Sequence, residues 1–184
     1  MIKSFYGVLM FDFKDVIMHK LFAFLISIML ASAANADGLI YFGSGPAATG
    51  TYENKNAPYT IGYITTDLGE TNWGIDISGE GTVIDSTYGQ NGALNQALSF
   101  NIIAGQTAAL GDNSKVTFGL LIGFREGVKA CADSYLGFQC YANTSPEVDY
   151  DFNYGGVVML SFGRFGIGAR HTQESTQALL GFSF

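Results

Sequence analysis

The sequence predicts an all-β fold, eight antiparallel strands closed into an up-and-down transmembrane β-barrel and preceded by a cleavable signal peptide. Three observations predict it. Large apolar residues alternate with glycine or polar residues at a period of two, most cleanly from Lys115 to Arg125. The connections between these segments are alternately long and short, as when turns lie on one side of a membrane and loops on the other. An export signal precedes them all, and no apolar stretch after it is long enough for a membrane helix. A chain that enters a membrane without such a helix must close its sheet to satisfy every backbone group in lipid.

The export signal begins at Met18, the expected start of translation, and leaves residues 1–17 as an N-terminal extension carrying Lys3, Asp12, Lys14 and Asp15. Met18, His19 and Lys20 form a basic start, Leu21 to Leu30 an apolar run, and Ala34-Asn35-Ala36 a cleavage pattern, so 18–36 reads as a signal peptide cut after Ala36. The remaining 37–184 has 148 residues, enough for one domain. Removing the first 36 residues takes Lys+Arg from 9 to 6 and Asp+Glu from 16 to 14, a net charge of −8 that excludes an electrostatic partnership with nucleic acid.

Gly38 to Gly43 is a short first strand with apolar residues on both faces, followed by a loop from Ser44 to Ala57 marked by Gly45, Pro46, Gly50 and Asn54. Tyr59, Ile61 and Tyr63 then alternate with Thr60, Gly62 and Ile64. After the turn Asp67-Leu68-Gly69-Glu70, Trp73, Ile75 and Ile77 alternate with Asn72, Gly74, Asp76 and Ser78, which makes strands two and three a hairpin. A polar, glycine-rich loop is expected from Gly79 to Gly92. The fourth strand carries Leu98, Phe100, Ile102 and Ala104 on one face and ends at Gly105. The fifth sets Val116, Phe118, Leu120, Ile122 and Phe124 against Lys115, Thr117, Gly119, Leu121, Gly123 and Arg125, the pattern of lipid outside and a crowded lumen inside.

Glu126 to Asp149 reads as the longest loop. The sixth strand turns Phe152, Tyr154, Val158, Leu160 and Phe162 outward and Asp151, Asn153, Gly155, Val157, Met159 and Ser161 inward. Beyond a tight turn at Gly163-Arg164, the seventh sets Phe165, Ile167, Ala169 and His171 against Gly166, Gly168 and Arg170. After the loop Thr172 to Ser175, the eighth sets Ala178, Leu180, Phe182 and Phe184 against Gln177, Leu179, Gly181 and Ser183. Strands of about 9 to 11 tilted residues span a bilayer. All but the first are expected to reach that length, with the loops at 44–57, 79–92, 126–149 and 172–175 on the cell exterior.

The segments KVTFGLLIGFRE, DYDFNYGGVVMLSFG and the terminal ALLGFSF resemble strands five, six and eight of the outer membrane protein X and Ail group, and more loosely the OmpA-type membrane domain. The resemblance covers Asn56 to Phe184. It implies a monomeric barrel in the bacterial outer membrane, in contact with lipid and lipopolysaccharide, whose role varies with loop sequence. The alternating Leu180, Phe182 and Phe184 also resemble the C-terminal signal through which the barrel assembly machinery recognises its clients.

An eight-stranded barrel is just wide enough to be filled by side chains. Asp76, Glu80, Asn101, Lys115, Arg125, Asn153, Arg170 and Gln177 form the expected inward polar set, a paired and hydrogen-bonded plug. Cys131 and Cys140, exported to an oxidising compartment, are expected to form a disulfide closing an exterior loop. Two thiols with no histidine nearby are too few for a structural zinc, and no cofactor is expected. Trp73, Tyr59, Tyr63, Phe162 and Phe165 are candidate anchors at the membrane interface.

His171, Glu174 and Ser175 are the one set that resembles a hydrolase. Eight-stranded lipid A deacylases use a histidine, serine and glutamate in a similar location but place the serine two residues after the histidine, where this chain has Gln173. The expected function is therefore a non-enzymatic barrel that reinforces the envelope and displays loops to a host or surface ligand. A lipid A-modifying hydrolase centred on His171 and a narrow ion channel are the alternatives, and a soluble secreted sandwich is the alternative fold.

Overall fold

The computed structural model describes residues 37–85, 93–130 and 147–184. The expected extension 1–17, the signal peptide 18–36 with its cleavage site, and Cys131 and Cys140 lie outside the described residues. The strands are β1 (Gly38–Ser44), β2 (Tyr59–Thr65), β3 (Thr71–Asp85), β4 (Ala93–Gly111), β5 (Ser114–Ala130), β6 (Glu147–Phe162), β7 (Phe165–Thr172) and β8 (Thr176–Ser183). Each pairs antiparallel with its sequence neighbour and β8 pairs with β1, so the sheet is one closed barrel. Two short turns, Asp112-Asn113 and Gly163-Arg164, lie at the same end as the β2–β3 connection and the chain terminus. That end is the turn end, and the opposite one the loop end.

The register fixes the geometry. Partners followed once around the barrel run Ser114, Phe162, Phe165, Phe182, Ile40, Tyr63, Ile75, Ile102 and back to Ile122, eight residues further along β5. A shear of eight over eight strands tilts each strand by roughly 35–40° from the axis. Each step to the next strand then climbs by the rise of one residue, about 2.6 Å along the axis. Residues on different strands can therefore be compared for height.

The walls differ from expectation in length. β3 runs through Gly79 to Asp85, with a bulge between Gly79 and Thr82, where a loop was expected from Gly79. β4 continues past Gly105 to Gly111, and β5 and β6 extend into the expected 126–149 loop as far as Ala130 and from Glu147. Glycine and charge marked these stretches as loops, but their backbone groups find partners across the ladder, and Ile84 and Asp85 also pair with Val128 and Lys129. On the other side, β1 and β2 have 7 residues each and β7 and β8 have 8, so three strands besides the first fall below the expected length.

Alternation decides which side chains face where. Most large apolar residues of each strand point away from the axis, among them Leu120 at 75% and Leu180 at 70% exposed. Among the described residues no second sheet covers them, and the strands close into one barrel instead of a sandwich. Inside, glycine and polar groups are only part of the filling. Leu39, Tyr41, Ile64, Ile103, Leu121, Val157, Met159 and Leu179 form a buried apolar cluster in the turn-end half of the lumen. Alternation placed Leu121, Val157 and Met159 on inward faces, while β1 with apolar residues on both faces gave no register for Leu39 and Tyr41, and the expected plug was polar. Met159 sits at its centre, its thioether filling the space over Gly166, Gly168 and Gly181. Met159→Ala is expected to destabilise the barrel by about 2–5 kcal/mol and Met159→Leu by less than about 1.5 kcal/mol, because only the first leaves a cavity. Urea unfolding followed through Trp73, the one tryptophan, measures both.

Candidate functional site

Above the apolar cluster the lumen is charged. Arg170 points inward from β7 and is fully buried between Asp76 and Glu80 of β3. Its Nε and Nη2 donate to Asp76 Oδ2 and Oδ1 at 2.8 and 3.3 Å, and its Nη1 and Nη2 donate to Glu80 Oε2 and Oε1 at 2.7 and 2.8 Å. The planar guanidinium is thus held bidentately on two edges, a geometry lysine cannot reproduce. Two carboxylates and one guanidinium leave one formal negative charge, and neutral donors surround it. Tyr41 Oη and Asn101 Nδ2 donate to Asp76 at 3.0 and 2.6 Å. Ser99, Asn153, Thr172 and Ser175 donate to Glu80 at 2.9, 3.0, 2.7 and 2.7 Å.

Two glycines make this possible. Tyr41 on β1 reaches Asp76 on β3 over the intervening Gly62 of β2, where an added Cβ would lie 2.3 Å from the Tyr41 ring. Asn153 on β6 donates to Asn101 Oδ1 on β4 at 2.9 Å over Gly123 of β5, where an added Cβ would lie 2.5 Å from that oxygen. The inward glycines therefore admit hydrogen bonds between strands that are not neighbours.

Of the eight polar residues expected inside, Asp76, Glu80, Asn101, Asn153, Arg170 and Gln177 lie in the lumen at 3% exposure or less. Arg125 and Lys115 sit at opposite rims instead. Arg125 closes the loop end, its Nη2 3.2 Å from Asp151 and its Nε 3.0 Å from Glu174, with Nη1 donating to the carbonyls of Thr82 and Glu126 at 3.3 and 3.2 Å. Lys115 pairs with Asp37 at the turn end, 2.6 Å apart. Both are the end residues of the regular fifth-strand pattern, so alternation gave them a face but not a depth.

The three hydrolase candidates turn to three different partners. His171 points outward, its Nδ1 2.8 Å from Thr176 Oγ1. Ser175 Oγ donates inward to Glu80, and Glu174 pairs with Arg125. A nucleophile, a base and an orienting acid need mutual hydrogen-bond reach, and this arrangement does not supply it. Burial raises the Glu174 carboxyl above the ordinary range, with Arg125 opposing and Glu80, Asp151 and Glu53 adding to the rise. Clefts of mixed lining open at both ends: one of about 300 Å³ at the loop end, bordered by Pro46, Pro58, Asn54, Gln96, His171 and Glu174, and one of about 400 Å³ at the turn end, bordered by Asp37, Leu68, Lys115, Arg164 and Phe184. Among the described residues no group of three or more metal-ligating side chains is assembled.

Among solved structures, the backbone structure of the Yersinia pestis outer membrane protein Ail in a phospholipid bilayer nanodisc is similar to this chain. The identity is 13% and the TM-score 0.47, over 82% of this chain and 100% of that one. No protein-family model and no curated protein sequence matches.

Arg170→Met, which strands two buried carboxylates, is expected to cost about 3–5 kcal/mol, and adding Asp76→Asn and Glu80→Gln to recover much of it. Urea unfolding of the single and triple variants measures this. A carboxyl with a raised folded pKa binds more protons in the fold than in the unfolded chain, so its contribution is full below the ordinary glutamate pKa and is lost as pH rises through the folded value. Glu174→Gln is expected to flatten that part of the pH–stability profile.

Proposed function

We propose that this chain is a non-enzymatic outer-membrane β-barrel of the Gram-negative type, exported by its signal peptide. In this reading it reinforces the envelope and displays its loop end for adhesion or another surface contact. The observation that carries the reading is the closed barrel whose outward face, from Phe162 and Phe165 to Phe152 and Phe124, is a belt of exposed large apolar residues. In water such a belt would drive aggregation, whereas in lipid it is the favourable face. Its aromatic residues, Trp73 and Phe165 at the turn end and Tyr59, Tyr150 and Tyr154 toward the loop end, suit the two membrane interfaces.

The lumen argues for support in place of transport. An apolar plug, a buried hydrogen-bonded charge cluster and the Arg125 rim lie in series along the axis, and a channel needs a continuous wet column through all three. The divergence of His171, Glu174 and Ser175 argues against hydrolysis. The loop end orients to the cell exterior and the turn end to the periplasm, where outward Leu180, Phe182 and Phe184 near the β8 terminus would be offered to the barrel assembly machinery. β3 to β6 rise above the rest of the barrel and present the display surface, with the Cys131–Cys140 disulfide closing the connection between β5 and β6. The partners in this reading are lipid, lipopolysaccharide and a surface ligand, and the barrel acts as a monomer.

Cell fractionation with heat-modifiable gel migration, paired with a deletion strain, tests this. The protein is expected in the outer membrane, running faster unheated than boiled, and its loss is expected to raise envelope permeability or lower surface adherence. Soluble periplasmic protein with no migration shift would end the membrane reading. A membrane barrel whose deletion changes neither property would end the reinforcement and display roles alone.

A further inference from the structure

The apolar belt is not of one height. On β6 the outward apolar residues continue from Phe162 to Phe152, ten residue steps or about 26 Å along the axis, close to the ~25 Å belt of outer-membrane barrels. On β7 they run only from Phe165 to Ala169, four steps or about 10 Å, and along β8 and its terminus from Phe184 to Ala178, six steps or about 16 Å. The next outward residues are His171 and Thr176, hydrogen-bonded to each other at 2.8 Å, and on β1 the outward residue beyond Phe42 is Ser44. At the same height on the long wall stand Phe100 and Tyr154, both apolar-bodied and exposed.

The surface around the polar pair is also recessed, since Gly156 lies opposite His171 on β6 and Ala169 pairs with Ala178 just below. Above it, His171 and Thr176 border the cleft at the loop end together with Asn54, Asn56, Gln96 and Glu174, so polar groups continue from the outer wall to the barrel mouth.

We propose that the wall formed by β7, β8 and β1 thins the outer leaflet beside it, drawing lipid headgroups down onto the His171–Thr176 pair. The inference rests on the membrane-spanning reading above. A full-height acyl layer against this wall would take out of water the His171 imidazole, the ends of three strands, and the hydroxyls of Thr176 and Ser44, whose protein partners are His171 and the Pro58 carbonyl. Thinning the bilayer around a short apolar stretch costs only fractions of a kcal/mol per Å. The partner this wall fits is therefore the polar headgroup layer, lying lower here than around β3 to β6.

Depth-dependent fluorescence quenching tests the proposal. In a Trp73→Phe background, single tryptophans replace Thr176 and Phe100, which lie at equal height on opposite walls, and Phe182 and Gln106, an equal-height pair nearer the turn end. Each variant is folded into phosphatidylcholine vesicles containing acyl-brominated lipid, with unheated gel migration selecting folded protein. The tryptophan at 100 is expected to be quenched by acyl bromine. The one at 176 should lose that quenching and respond to aqueous iodide, while the pair at 182 and 106 should read alike.

Equal depths at 176 and 100 would overturn the proposal. A depth offset of one size and sense in both pairs would also overturn it, because a rigid tilt of the barrel produces that. Absence of acyl quenching at every position would instead remove the membrane reading on which the proposal stands. Should the tryptophan at 176 prevent folding, the unmutated barrel and His171→Leu/Thr176→Leu can be compared across acyl lengths. A shift of the most stable bilayer toward longer chains in the double variant is expected, and no shift would contradict thinning.

Discussion

Eight strands closed with a shear of eight leave an interior about one layer of side chains across, so a charge inside must be met by other side chains. That constraint explains the contents of the lumen. Apolar residues fill the turn-end half by contact, and the charges of the loop-end half survive because Arg170 is clamped from both sides by Asp76 and Glu80. The six neutral donors around the two carboxylates spread the remaining negative charge over hydrogen bonds, which is how a low-dielectric site tolerates it. The cluster also ties together β1, β3, β4, β6, β7 and the β7–β8 turn, most of which are not neighbours in the sheet.

The wall was more legible in the sequence than the filling. Alternation from Lys115 to Arg125 and from Asp151 to Phe162 marked the two longest-paired strands, because outward residues there are mostly large and apolar and most inward ones are glycine or polar. β3 beyond Gly79 read as a loop, since its glycines and acidic groups sit at a bulge where Glu80 turns inward to Arg170. Arg170 and its two carboxylates are separated by 90 and 94 positions in sequence, and nothing local indicates which inward charge meets which. Inward Leu121, Val157 and Leu179 were visible as exceptions to a polar inner face. Their gathering into one cluster follows from the shear, which alternation alone does not carry.

The two halves of the wall have different tasks in this account. β3 to β6 extend well past the apolar belt, while β7, β8, β1 and β2 stop near the level of His171 and Tyr59. The Arg125 rim joins the two halves: it links β5, β6 and the β7–β8 turn and touches the β3 bulge through the Thr82 carbonyl. A barrel with a rigid sealed interior, one tall wall and one low wall is suited to holding a surface platform at a fixed height above a membrane.

The central claim is that the oily face of this closed sheet meets acyl chains around its circumference. Polarised infrared spectroscopy of the protein in aligned bilayers tests it most directly, because strand number and shear together fix the angle between strands and bilayer normal. The account predicts amide dichroism corresponding to a tilt of roughly 35–40°. Isotropic amide absorption, or protein that washes off the bilayers in alkaline carbonate, would contradict it.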